Sequence, residues 1–223
     1  MHSPAKKTKT TNNSPMFSSS IKRAILISAA IPPLIALSIS PAQAHHPFAM
    51  GDSSQLNAFQ GLLSGIGHPL LGPDHLLFMV ALLFVGLSKP KEWIIPLVSL
   101  GLVGSGLSQV FAIPPTLETF GEALVSLSLV IEGCVALNLL PTWILLPCIT
   151  LHGYLLGAAI TGAEPTPLFA YFLGLAIAQG LFLLLVCSIS KPFVNRIGGS
   201  WKNILAGVWM GIGLAFAWSV VIP

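Results

Sequence analysis

Apolar residues occur along this chain in long blocks, separated by short polar breaks rich in glycine and proline. An early block, Ala24–Ile39, is short. Later blocks cover Trp93–Ile113, Thr116–Leu140, Pro141–Thr161, Leu168–Ile189 and Trp201–Ile222, each close to the roughly 20 residues a membrane helix needs. Between the early block and these lie two shorter pieces, Gln55–Gly67 and Asp74–Leu87. At about 1.5 Å per residue the second is too short to span comfortably alone, and the two together are too long for one straight pass. They are read as one broken or re-entrant first element. The pattern predicts an all-α, polytopic membrane helix bundle with about six transmembrane segments, the first broken at His68 to Asp74.

Composition agrees with a membrane solvent. Of the 223 residues 54% are hydrophobic and 8% charged, where a soluble domain carries about a quarter charged. Lys6, Lys7, Lys9, Lys22 and Arg23 precede the early apolar block, which ends in Pro41-Ala42-Gln43-Ala44. Basic region, short apolar core and Ala-x-Ala form a secretory signal peptide. Residues 1–44 are therefore expected to be cleaved, leaving 45–223 as a single membrane domain.

The remaining Lys89, Lys91, Lys191, Arg196 and Lys202 oppose seven acidic residues, a formal charge of −2. No basic face exists to neutralise phosphates, so nucleic acid is not an expected partner; the lipid bilayer is. All five cluster in the first and fifth connections, which the positive-inside rule assigns to the cytoplasm. The mature N- and C-termini then lie outside the cytoplasm, in a bacterial-type inner or plasma membrane. Cys134, Cys148 and Cys187 fall in apolar runs without CxxC spacing and read as buried thiols.

The chemistry concentrates at His68-Pro69-Leu70-Leu71-Gly72-Pro73-Asp74-His75-Leu76-Leu77-Phe78-Met79. Pro69, Gly72 and Pro73 interrupt a regular helix, predicting half-helix, unwound link, helix. Interrupted membrane helices persist where protein or a hydrated cavity satisfies the freed backbone, and they often carry the ion site of a transporter. Across such a link His68 and His75 can converge, with Asp74 and His75 opening the second helix and Met79 one turn beyond. Glu132 in the third span and His152 in the fourth are the other costly ionisable residues. If Ala44 ends the leader, the new terminus His45-His46-Pro47 offers a free amine, an amide nitrogen and an imidazole for a tight chelate. Neutral imidazoles favour a late first-row divalent ion. The candidate metal ligands are thus His45, His46, His68, Asp74, His75, Glu132 and His152. Glu132 reads equally as a ligand, a residue orienting an imidazole, or a proton acceptor.

The stretch His68-Pro69-x-x-Gly72-x-Asp74-His75-x-x-x-Met79 resembles the signature of the HupE/UreJ family. Ile131-Glu132, Leu151-His152-Gly153 and a leader ending before histidines follow in that family's order. Phe78 and Pro73 depart from its pattern, which bears on the helix start and the cavity width. The resemblance implies a secondary permease taking up divalent nickel or cobalt for a metalloenzyme such as hydrogenase or urease, or cobalt for cobalamin synthesis. Ni2+ or Co2+ is then cargo, and no prosthetic group is expected. No P-loop is present, so no ATPase subunit is implied, and the membrane potential contributes roughly 4.6 kcal/mol per divalent ion at 100 mV. Imidazole protonation opposes metal binding, so uptake is expected to weaken as pH falls through about 6 to 7. Two other classes compete: an accessory membrane protein for metalloenzyme assembly, and a membrane-embedded hydrolase, using Ser105 or Ser108 with His152 or a zinc ion held by the histidine-carboxylate cluster.

Overall fold

The computed structural model describes residues 56–87 and 89–222. The expected leader and the candidate ligands His45 and His46 lie outside them. The described residues form six helices: α1 (Ala58–Leu71), α2 (Pro73–Val85), α3 (Pro90–Val110), α4 (Pro115–Ala136), α5 (Leu145–Ala158) and α6 (Pro165–Val221). A single 3-10 turn, Thr142–Ile144, leads into α5. No strand occurs among them. Helices α3, α4 and α6 are each long and apolar enough to cross a membrane, and α1 with α2 passes that test as a pair bent by 60°. The protein is an all-helical membrane bundle.

The first element is broken, and the break is narrower than the sequence pattern implies. Helix α1 starts from a capping box, in which the Asn57 side chain accepts from the Gln60 amide at 2.9 Å and the Gln60 side chain accepts from the Asn57 amide at 3.0 Å. It then runs past Gly67 through His68 and Pro69, so both lie in its last turn. Only Gly72 leaves the helical conformation, at φ −71° and ψ 113°. A residue before proline is pushed out of the α region, and Pro73 acts on Gly72 in that way. Proline at the first position of α2 needs no backbone donor there, so the new helix starts at once. The Gly72 amide closes α1 on His68 O, and its carbonyl opens α2 to the Leu76 amide, each at 2.9 Å.

Helix α6 has 57 residues, about 86 Å if straight, nearly three times the hydrocarbon thickness. It turns back at Gly198, whose φ of 77° and ψ of 167° suit only glycine. The Ser190 hydroxyl and the Trp209 indole both bond the backbone of α2, so residues on either side of Gly198 run along the same helix in opposite directions. The arms 165–197 and 199–221 correspond to the fifth and sixth apolar blocks.

Helix directions follow from which small residues meet. Gly61 lies against Pro167 and Gly65 against Tyr171, so α1 and the first arm of α6 are parallel. Gly101 meets Gly153, and Ser105 meets Gly157, so α3 and α5 are parallel too. On α4, Gly133 meets Ala206 while Ser126 meets Gly213, so the second arm of α6 is antiparallel to it. Small residues at these contacts let backbones approach closely, which drives helix association in lipid. The core between the layers holds Phe78, Met79, Leu82 and Phe84 of α2, with Leu129, Cys148 and Trp209 around them.

One buried serine locks α2 in place. The Ser190 hydroxyl donates to Leu82 O at 2.7 Å and accepts from the Gly86 and Leu87 amides, each at 3.1 Å. It thereby serves groups that a helix end leaves without partners. Ser190→Ala is expected to destabilise the protein by about 1–3 kcal/mol, the cost of unsatisfied buried groups. The check is a lower midpoint in detergent unfolding followed by Trp fluorescence.

Candidate functional site

Three buried histidines from three helices form a line inside the bundle. His68, 2% exposed, ends α1; His75, 5% exposed, lies in the first turn of α2; His152, 1% exposed, lies within α5. The ring centroids of His68 and His75 are 6.0 Å apart, and those of His75 and His152 are 5.0 Å apart. The break at Gly72 produces this meeting by turning α2 so that His75 reaches α5. Its Nδ1 stands 2.8 Å from His152 Nδ1.

The outer rings are each held by a hydroxyl. His68 Nδ1 lies 3.0 Å from the Tyr171 hydroxyl, which donates to Leu156 O at 2.6 Å. His152 Nε2 lies 2.7 Å from the Ser128 hydroxyl, which donates to Val125 O at 2.6 Å. Phe78 covers the His152 ring at a centroid distance of 4.3 Å. Phe78, one of the two departures from the resembled pattern, therefore walls the site.

The carboxylates are placed differently. Asp74 is half-buried, with Oδ2 3.8 Å from His75 Nδ1, within reach as a charge but beyond a hydrogen bond. Glu132 is fully buried on α4, one turn beyond Ser128 on the same face. Neither of its oxygens has a hydrogen-bond partner among the described residues. Leaving a carboxyl unpaired in such surroundings is costly, and intramembrane carboxyls of this kind line ion and proton paths. Gln179 Oε1, the other buried oxygen without a partner, lies over Gly101.

Among the described residues no three His, Cys, Asp or Glu side chains form a ready-made metal cluster. The histidines are arranged as two successive pairs. Two imidazole nitrogens bound cis to one ion at about 2.0–2.1 Å are about 2.9 Å apart, close to the separation of the two Nδ1 atoms. The same distance is an ordinary N–H···N bond, which satisfies the pair as it stands.

Sequence reading overlooked Tyr171, Ser128 and Gln179. Tyr171 carried a signal, being one of two tyrosines in the chain and lying inside an apolar block where its hydroxyl needs a partner. Ser128 carried none, because serine in a membrane helix reads as a packing residue.

The serine hydrolase alternative finds no matching geometry. Ser105 donates to Gly153 O at 2.7 Å, Ser108 donates to Ser105 O at 2.8 Å, and His152 meets neither of them. At Ser128 the hydroxyl donates to the Val125 carbonyl and not to the imidazole, which is not the arrangement of base activation.

The family profile described as HupE / UreJ protein matches residues 34–216, well over half the chain and all of the elements just described except the last residues of α6. The chain belongs to the HupE/UreJ family. That family is associated with nickel or cobalt transport, or with accessory roles for urease and hydrogenase. No curated protein and no solved structure matches the chain.

Proposed function

We propose that the protein is a secondary permease for divalent nickel or cobalt, and that the histidine line is the route by which the ion enters the bundle. The observation that carries this is the succession of His68, His75 and His152, buried on three helices and spaced by 6.0 and 5.0 Å. Ionisable rings inside a membrane bundle are costly and rare, and they mark ion pathways. Successive pairs suit conduction better than a closed cage, because an ion must be held strongly enough to enter and weakly enough to leave. Asp74 supplies charge at the positive end of α2. Glu132 stands beyond the last pair as an acceptor for the cation or a proton. A terminus at His45-His46 would collect ions at the outer face.

An ion between His75 and His152 takes the place of the proton they share. The His75 proton then resides on Nε2, so the neutral pair binds metal without changing its total proton count. The proposed topology places both mature ends outside, with residues 1–44 removed, because every lysine and arginine after the leader falls in the first and fifth connections. Six passes make the first and fifth segments parallel, the second and fourth parallel, and the third and sixth antiparallel, relations that the helix contacts have whichever end lies outside.

The test is uptake of labelled nickel and cobalt by sealed vesicles reconstituted with the purified protein, driven by an inside-negative potential. Saturable flux at least tenfold above empty vesicles is expected, and it should fall when the potential is collapsed. Absence of flux for both ions in folded, correctly inserted protein would favour the accessory role.

A further inference from the structure

We propose that Tyr171 and Ser128 are positioning residues that set the tautomers of His68 and His152, so that each ring keeps one nitrogen unprotonated toward the ion path. The inference rests on the permease reading for its purpose, but its geometry stands independently.

Each hydroxyl has one proton and two polar neighbours. The Tyr171 hydroxyl lies 2.6 Å from Leu156 O and 3.0 Å from His68 Nδ1. A carbonyl oxygen only accepts, so two oxygens 2.6 Å apart need a proton between them, and the tyrosine proton must go there. Leu156 O also has reason to take it. At the end of α5 the Ile160 amide bonds Gly157 O in place of Leu156 O, leaving one of the orphan carbonyls of a helix terminus. The remaining lone pair of the tyrosine faces His68 Nδ1, which must therefore carry a hydrogen. In the neutral ring Nε2 is then the unprotonated atom.

The same arrangement recurs at His152. The Ser128 hydroxyl lies 2.6 Å from Val125 O, which takes its proton, and 2.7 Å from His152 Nε2. His152 Nε2 is thus the donor and Nδ1 the acceptor. The Nδ1 of His75, 2.8 Å away, supplies the hydrogen between the two rings. The tautomer of the middle histidine is fixed by the last one, and that one by a serine. Five helices contribute to this proton order: α1 through His68, α2 through His75, α4 through Ser128, α5 through His152 and Leu156, and α6 through Tyr171.

The consequence is directional. An incoming cation finds unprotonated nitrogens at His68 Nε2 and His152 Nδ1. No ring has to exchange its proton before first contact. Partners of this kind fix ring orientation and raise ligand basicity, and their loss typically weakens metal binding by about 10–100-fold.

The experiment uses the full chain in lipid nanodiscs with 15N-labelled histidine, without metal, and separately measures binding of Ni2+. Nitrogen shifts distinguish the tautomers. The wild type is expected to show His68 protonated on Nδ1 and His152 on Nε2. Tyr171→Phe should release His68 into a tautomer mixture while leaving His152 unchanged, and Ser128→Ala should do the converse. Each should weaken Ni2+ binding about tenfold or more, and Ser128→Thr, which restores the hydroxyl, should recover both signals. A wild-type His152 protonated on Nδ1, or tautomers that do not respond to Ser128→Ala in a variant that still folds, would overturn the proposal. If the tautomers behave as expected but the wild type neither binds nor moves Ni2+, the permease reading fails and the proton order remains.

Discussion

Uptake of nickel and cobalt is expected to fall at least about a hundredfold in His75→Ala, with the protein still folded and inserted. His75 is the shared member of both histidine pairs, 6.0 Å from His68 and 5.0 Å from His152 between ring centroids. Its removal breaks the line in the middle and withdraws the hydrogen that satisfies His152 Nδ1. A hundredfold loss corresponds to about 2.7 kcal/mol, within the range for a buried polar contact together with the group it leaves unpaired. The cost to folding is smaller than for an apolar core residue, because the core around α2 is built on Phe78, Met79, Leu82 and Phe84, which remain. Flux into vesicles, normalised to protein that elutes as the folded species, is the measurement. Lys89→Ala is the companion variant: its ammonium, held charged beside Glu92 at 2.8 Å in an exposed pair, should leave flux unchanged. Flux retained in His75→Ala would remove the histidine line from the mechanism.

Gly153→Ala is expected to destabilise the bundle by about 1–3 kcal/mol or more and to abolish uptake, whereas Gly106→Ala is expected to be neutral or stabilising. A Cβ on Gly153 would overlap the carbonyl of Gly101, a backbone group that cannot swing aside, so α3 and α5 must separate along their parallel contact. His152, the preceding residue, moves with the backbone away from Ser128 and His75. Gly106 has nothing within 4 Å of its added carbon. There alanine gains up to about 1 kcal/mol of helix propensity with no clash. Detergent unfolding midpoints and vesicle flux for the two variants test the contrast. Equal midpoints would show that the α3–α5 approach is not what holds the bundle.

Much of this architecture was legible in the order of apolar blocks. Their length and low charge require helices, since lipid leaves backbone groups no other partners. The interruption before Asp74 followed from Gly72-Pro73, where proline removes its neighbour from the helical region. The candidate ligands His68, Asp74, His75, Glu132 and His152 were visible because ionisable groups are rare among apolar neighbours.

Other features depended on contacts between distant segments. Pro69 suggested a wider unwound link than exists, because sequence does not reveal that His68 and Pro69 continue the last turn of α1 against α6. Tyr171 lies 103 residues from His68 and Ser128 lies 24 from His152, so their role in placing protons was invisible until the helices packed. Local chemistry determined the membrane helices and the residues able to hold an ion. Only the packed bundle decided which rings meet and at what spacing, because those depend on contacts between helices far apart in the chain.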